Sequence, residues 1–159
     1  MRKRLGTAAV VAVLAVLIGG IVGGATVAQA TVDLDLLVPA GAGGAGEFLD
    51  FEHDGLTLGD RIVARSPLYD GTGTHQVGRS FLECVVVSNK LTETSGLWRC
   101  SYLLDLEDGD ILVEGLDPRG DGSSTMAIAG GTGAYSQASG DAEFVDSSDG
   151  TAMHLHLEV

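Results

Sequence analysis

The 159-residue sequence predicts an all-β domain, barrel or sandwich, behind an N-terminal export signal. Three observations carry that prediction. Asp-Gly recurs at Asp54-Gly55, Asp70-Gly71, Asp108-Gly109, Asp121-Gly122 and Asp149-Gly150. The pair suits hairpin turns because Gly takes positive φ without steric cost and Asp tolerates it. The segments between these turns alternate in polarity or are rich in β-branched residues, and none after residue 30 sustains helical spacing.

The elements follow in chain order. Arg2, Lys3 and Arg4 precede an uncharged apolar run from Leu5 to Ala28, and Ala28-Gln29-Ala30 fits a small-x-small cleavage site. Residues 1–30 therefore read as a secretory signal peptide. The alternative is an uncleaved membrane anchor, since the run is long enough to span a bilayer. Gly19, Gly20, Gly23 and Gly24 interrupt its second half and favour cleavage, which leaves a secreted protein with no membrane attachment. The remaining 129 residues make one domain with a single core. Six Lys and Arg then stand against 22 Asp and Glu, a net charge of −16. Such a polyanion repels nucleic acid and anionic lipid, so neither is expected as a direct partner.

A first strand runs from Thr31 to Val38, and the Gly-rich stretch Pro39 to Gly46 reads as a flexible connection. Residues 31–46 thus precede the main β domain, 47–159. In "VGRSFLECVVVS", alternation puts Gly78, Ser80, Leu82, Cys84 and Val86 on one face, with Arg79 and Glu83 opposite. In "LWRCSYLLDL", Trp98, Cys100, Tyr102, Leu104 and Leu106 share a face away from Arg99, Ser101 and Asp105. A hairpin turning at "KLTETS" sets Cys84 across from Cys100. Two cysteines in an exported chain favour one disulfide; the alternative is a free reactive thiol at Cys84. Zinc lacks a second Cys or His pair.

At the C-terminus, "MHLHLEV" turns Met153, Leu155, Leu157 and Val159 inward and His154, His156 and Glu158 outward. His-x-His beside a carboxylate suits a metal, but an exposed strand face explains it as well, and no metal is expected. Arg119-Gly120-Asp121 spells an adhesion tripeptide, which a turn produces by chance.

"AIAGGTGAYSQASG", Ala127 to Gly140, poses a sharper choice. A dinucleotide loop needs a third glycine where Ser136 stands, and a helix immediately behind, where "AYSQAS" runs into Gly140 and a strand-like "DAEFV". No P-loop Lys follows either. Gly130, Gly131, Gly133 and Tyr135 therefore read as a structural turn.

The same stretch resembles the Gly-Gly-Thr-Gly-x-aromatic signature shared by dirigent proteins and allene oxide cyclases. "GDRIVARSPLYDG", from Gly59, is similar to the cyclase segment leading into Leu-Tyr-Asp-Gly, and "VGRSF", from Val77, to the Val-Gly-Arg segment of dirigent proteins. "ECVVV" and "DGDILVEG" follow in the same order, so the resemblance spans about Gly59 to Phe144. The chain also looks like exported actinobacterial members with an allene oxide cyclase barrel-like domain. The resemblance implies a single antiparallel eight-stranded barrel with an apolar lumen, no cofactor, a hydrophobic small-molecule ligand and a homotrimer. By resemblance the activity is that of an isomerase or cyclase working on a lipid- or polyketide-like metabolite; the alternatives are a non-catalytic dirigent-like guide, a ligand carrier or a structural envelope protein. Ligand-lining candidates are Ser80, Leu82, Trp98 and Tyr102 on the inward face, together with Tyr69 of Leu-Tyr-Asp-Gly. Two departures stand out. The cyclases' lumen cysteine corresponds to Cys84, which a disulfide would consume, and their Asn before Leu-Tyr-Asp-Gly is replaced by Ser66-Pro67. No catalytic residue is assigned.

Overall fold

The computed structural model describes residues 30–51, 56–88, 96–119 and 122–159. The expected export signal up to Gln29, the "KLTETS" stretch and the Gly120-Asp121 end of the Arg-Gly-Asp tripeptide lie outside them. Nine strands follow one another: β1 Thr31–Pro39, β2 Ala45–Leu49, β3 Arg61–Asp70, β4 Gln76–Val86, β5 Gly96–Leu106, β6 Gly109–Arg119, β7 Ser123–Gly131, β8 Ser139–Ser147 and β9 Gly150–Glu158. All pairings are antiparallel in the order β1-β9-β8-β7-β6-β5-β4-β3, and β1 also meets β3. Eight strands thus close a barrel, while β2 flanks β3 outside the ring. The division drawn after residue 46 falls inside β2, whose Ala45–Leu49 pairs with β3 from Arg65 to Arg61.

Hairpin chemistry accounts for the ring. The β5–β6 and β8–β9 connections are two-residue loops, closed by the Leu106↔Gly109 and Ser147↔Gly150 pairs. At the β3–β4 turn, the Asp70 carboxylate accepts from the Thr72 hydroxyl at 2.7 Å and the Thr74 N–H at 3.1 Å. These bonds hold its pKa below the usual carboxylate value. Cys84 stands directly opposite Cys100, and the two are joined in a disulfide with Cα atoms 4.1 Å apart.

The inside of the barrel is unevenly filled. Its lower half, toward the β5–β6 turn, is packed solid by Leu68, Leu104, Ile111, Val113, Leu155 and Leu157, all at most 1% exposed. The glycine motif plugs that end. A single 3₁₀ turn, Gly133–Tyr135, lies across the β5–β6 turn. There the Thr132 N–H donates to the Asp110 carbonyl and the Ala134 N–H to the Asp108 carbonyl, both at 2.9 Å. The Thr132 hydroxyl accepts from the Asp110 N–H and donates to its carboxylate, each at 2.9 Å. No α-helix follows the glycines, so they serve as a cap of backbone bonds.

One outer face has its own electrostatic design. His154 Nδ1 lies 2.7 Å from Asp35 Oδ1, and His156 Nδ1 lies 2.7 Å from Asp33 Oδ1, both across the β1–β9 seam. On the other side, β8 sets Glu143 beside His154 and Asp141 beside His156. The hydrogen bond to Asp33 raises the His156 pKa against its own desolvation, and the charges of Asp33, Asp141 and Glu143 add to it. A raised folded-state pKa stabilises fully below the ordinary imidazole value of 6.5 and loses that contribution as pH rises through the folded value. The urea midpoint is therefore expected to fall as pH rises from about 6 to about 8, and Asp33→Asn to flatten the decline. An unchanged slope in the variant would remove His156 as its source.

Candidate ligand-binding lumen

The upper half of the barrel is hollow, for a reason legible in side-chain volumes. Inward positions there carry Ala64, Ser66, Ser80, Ser124 and Thr151, where the lower half carries Leu and Ile. A mouth chamber of about 210 Å³ is lined by Trp98, Tyr102, Phe144, Cys84, Asp117 and Asp146 among others. An inner chamber of about 190 Å³ is bounded by Val38, Ala64, Ser66, Ser80 and Met153. Both touch Leu82, Tyr102 and Thr151, so the two chambers adjoin at these side chains.

Of the sequence-predicted lining residues, Ser80, Leu82, Trp98 and Tyr102 meet here. The two aromatics both border the chamber and pack into the core. Trp98 is buried, only 2% exposed, with one side on the chamber. Tyr102 stacks on Phe144 with centroids 4.5 Å apart and planes 29° from parallel. Tyr69 does not belong to this set. Leu68 is fully buried in the lumen, so its neighbour Tyr69 turns to the opposite face, paired with Leu37 of β1 and Gln76 of β4. The β3–β4 register shifts at this step, and Tyr69 lines neither chamber.

The electrostatics favour a neutral donor at the centre. Burial pushes the Tyr102 hydroxyl pKa well above its ordinary value, and the carboxylates of Asp117 and Asp146 push it further. Tyr102 therefore stays protonated at any physiological pH and can donate a hydrogen bond. Asp146 accepts from the Thr151 hydroxyl at 2.7 Å. Among the described residues, no Lys, Arg or His lines either chamber. Among the described residues, no three His, Cys, Asp or Glu side chains converge in metal-binding geometry.

Sequence reasoning missed Asp60. Its side chain is fully buried beside the mouth, where it accepts from the Thr57 N–H at 2.6 Å, the Thr57 hydroxyl at 3.1 Å and the Phe51 N–H at 3.1 Å. The Thr57 backbone bond is the largest cause that keeps its pKa low, with burial opposing. The "TLGD" spacing, a Thr three residues before an Asp, is the local signal for such a turn.

No protein-family model matches the sequence, and no curated protein matches it. Solved structures do. Pyocyanin demethylase superposes with a TM-score of 0.65 at 25% identity, over 80% of this chain and 99% of that one. AbnU, an exo-specific intermolecular Diels-Alderase, gives 0.63 at 18% identity, over 82% and 98%. The pterocarpan synthase dirigent protein GePTS1 gives 0.57 at 18%, over 80% and 82%. The cyclase and the dirigent protein are similar to this chain in fold. The chain shares its antiparallel barrel fold with these structures, the fold that the resemblance of its glycine and Leu-Tyr-Asp-Gly motifs implies.

Proposed function

We propose that this is an exported barrel that encloses a hydrophobic small molecule in its upper lumen and acts as a cofactor-free isomerase or cyclase on a lipid- or polyketide-like metabolite. The observation that carries the reading is the pair of adjoining chambers, walled by aromatic rings and supplied with a protonated Tyr102. Confinement selects one folded conformer of a flexible substrate. The Tyr102 hydroxyl then donates to an oxygen on which negative charge develops, in a site partly shielded from water. An isomerisation needs no co-reactant, which fits a chamber closed at its lower end.

A second reading has one observation in its favour. Asp146, a carboxylate near Tyr102, already has one oxygen engaged by Thr151, which weakens it as a base. A non-catalytic dirigent-like guide or carrier needs no base. The two readings part on Tyr102→Phe, assayed with lipid epoxides and linear polyketide mimics. The cyclase reading expects ligand binding to persist and turnover to fall by about 10²-fold. Tyr102→Ala, which also removes the stacked wall, is expected to weaken binding about tenfold. Binding with no chemical change in the native protein would favour the guide; no binding at all would dismiss both. Export is checked by N-terminal sequencing of secreted protein, expected to begin at Thr31.

A further inference from the structure

The inner chamber reaches the barrel wall where that wall is least complete. β1 and β3 pair at only two positions, Leu36↔Asp70 and Leu37↔Tyr69. The reason lies in two of the chain's three prolines. Asp70 N–H donates to the His75 carbonyl at 2.9 Å and Ala40 N–H to the Asp149 carbonyl at 2.8 Å, both away from the β1–β3 seam. Backbone directions alternate along a strand, so Leu37 and Pro39 on β1, and Tyr69 and Pro67 on β3, turn toward the seam. The next bonding rung would set Pro39 against Pro67, and neither has an N–H to give. The ladder stops there, and the rest of β3 pairs with β2 instead.

What lies behind this gap is small. Val38 stands on one side and Ala64 and Ser66 on the other, all lining the inner chamber. Ala64 and Ser66 also line an outer pocket of about 490 Å³ beneath residues 41–46. The inner chamber and the outer pocket therefore share these two small side chains as common lining. Inside, Ser80 is 5% exposed and lines the chamber, and among the described residues its hydroxyl takes no hydrogen-bond partner. Its oxygen opens on the chamber rather than being sealed in protein, so a guest there can take up its hydrogen bond.

We propose that the β1–β3 seam is a side passage into the lumen, and that the ligand is an elongated, uncharged, mainly apolar molecule with one polar oxygen, bent at Ser80 so that an apolar arm leaves past Ala64 and Ser66. This rests on the lumen being the ligand site, as argued above. Separately, each chamber falls below the roughly 300–1,000 Å³ of small-molecule pockets, and together they fall within it. Asp117 and Asp146 at the mouth, with no basic side chain among the described lining residues, argue against an anionic head.

The test uses neutral primary alcohols from hexanol to dodecanol, followed by the emission of Trp98, the chain's single tryptophan, which borders the mouth chamber. The native protein is expected to bind roughly fourfold more tightly per added methylene across the series. Ser66→Leu, which fills the passage, is expected to end that gain at an intermediate length; Ala64→Val serves the same purpose should the first variant fail to fold. Ser80→Ala is expected to weaken every member about tenfold. Equal slopes in native and plugged proteins would overturn the passage while leaving the lumen as a ligand site. No response to any alcohol in the native protein would overturn both.

Discussion

Gly133→Val is expected to lower barrel stability by about 3 kcal/mol or more, whereas Gly41→Ala costs about 1 kcal/mol. Both glycines have positive φ, +56° and +69°, so both substitutions incur the left-handed penalty of roughly 1–2 kcal/mol. They differ in surroundings. A Cβ at Gly41 meets nothing within 4 Å, but one at Gly133 runs into the Asp108 carbonyl oxygen. That carbonyl is the acceptor for the Ala134 N–H at 2.9 Å, one of the bonds that cap the lower end of the barrel. Relieving the clash breaks the cap, which adds about 1–2 kcal/mol for lost backbone bonds. Urea denaturation of both variants measures the difference. Similar losses at the two sites would show that the Gly-Gly-Thr-Gly motif is only a flexible bend.

Cys84→Ala/Cys100→Ala, or reduction of the native protein, is expected to cost about 3 kcal/mol, because the bond closes a loop across a sequence separation of 16. For a domain of this size that lowers the thermal midpoint by on the order of 10 °C. The consequence extends to the site, since Cys84 lines the mouth chamber and Cys100 sits behind Trp98 on the same face of β5. Releasing the pair should loosen the wall and weaken ligand binding as well as stability. Thermal unfolding followed by circular dichroism, with and without reductant, decides it. A midpoint unchanged by reduction would mean that the β4–β5 ladder holds the hairpin alone.

The strands and the disulfide were legible in the sequence because both depend on near neighbours. Alternation told which side of β4 and β5 faced inward, and a hairpin centred on "KLTETS" set Cys84 against Cys100, the register that the two strands adopt. The Asp-Gly turns marked β3–β4, β5–β6 and β8–β9 for the same reason. Closure was not readable from periodicity, because the β1–β3 contact joins residues far apart in the chain, and only the family resemblance implied it. The hidden role of Pro39 and Pro67 follows from that: each looks like a strand terminator until the partner strand is known. Tyr69 was placed by its motif rather than by its parity with Leu68, and parity decides. The division between packed and hollow halves depends on volumes summed over eight strands, which no local window contains.

Closing a sheet into a ring leaves most of its hydrogen-bond ladders nothing to offer a stranger, but besides the short β1–β3 seam one strand keeps an open edge. β2 has a neighbour only on its β3 side among the described residues. Its outer edge is therefore the place where a second chain could add itself by backbone bonding and begin to grow into a fibre. The strand is five residues long and carries Gly46 and Glu47 at its middle, features that shorten, soften and charge such an edge. Replacing those two by valine would turn a guarded margin into a seed for aggregation.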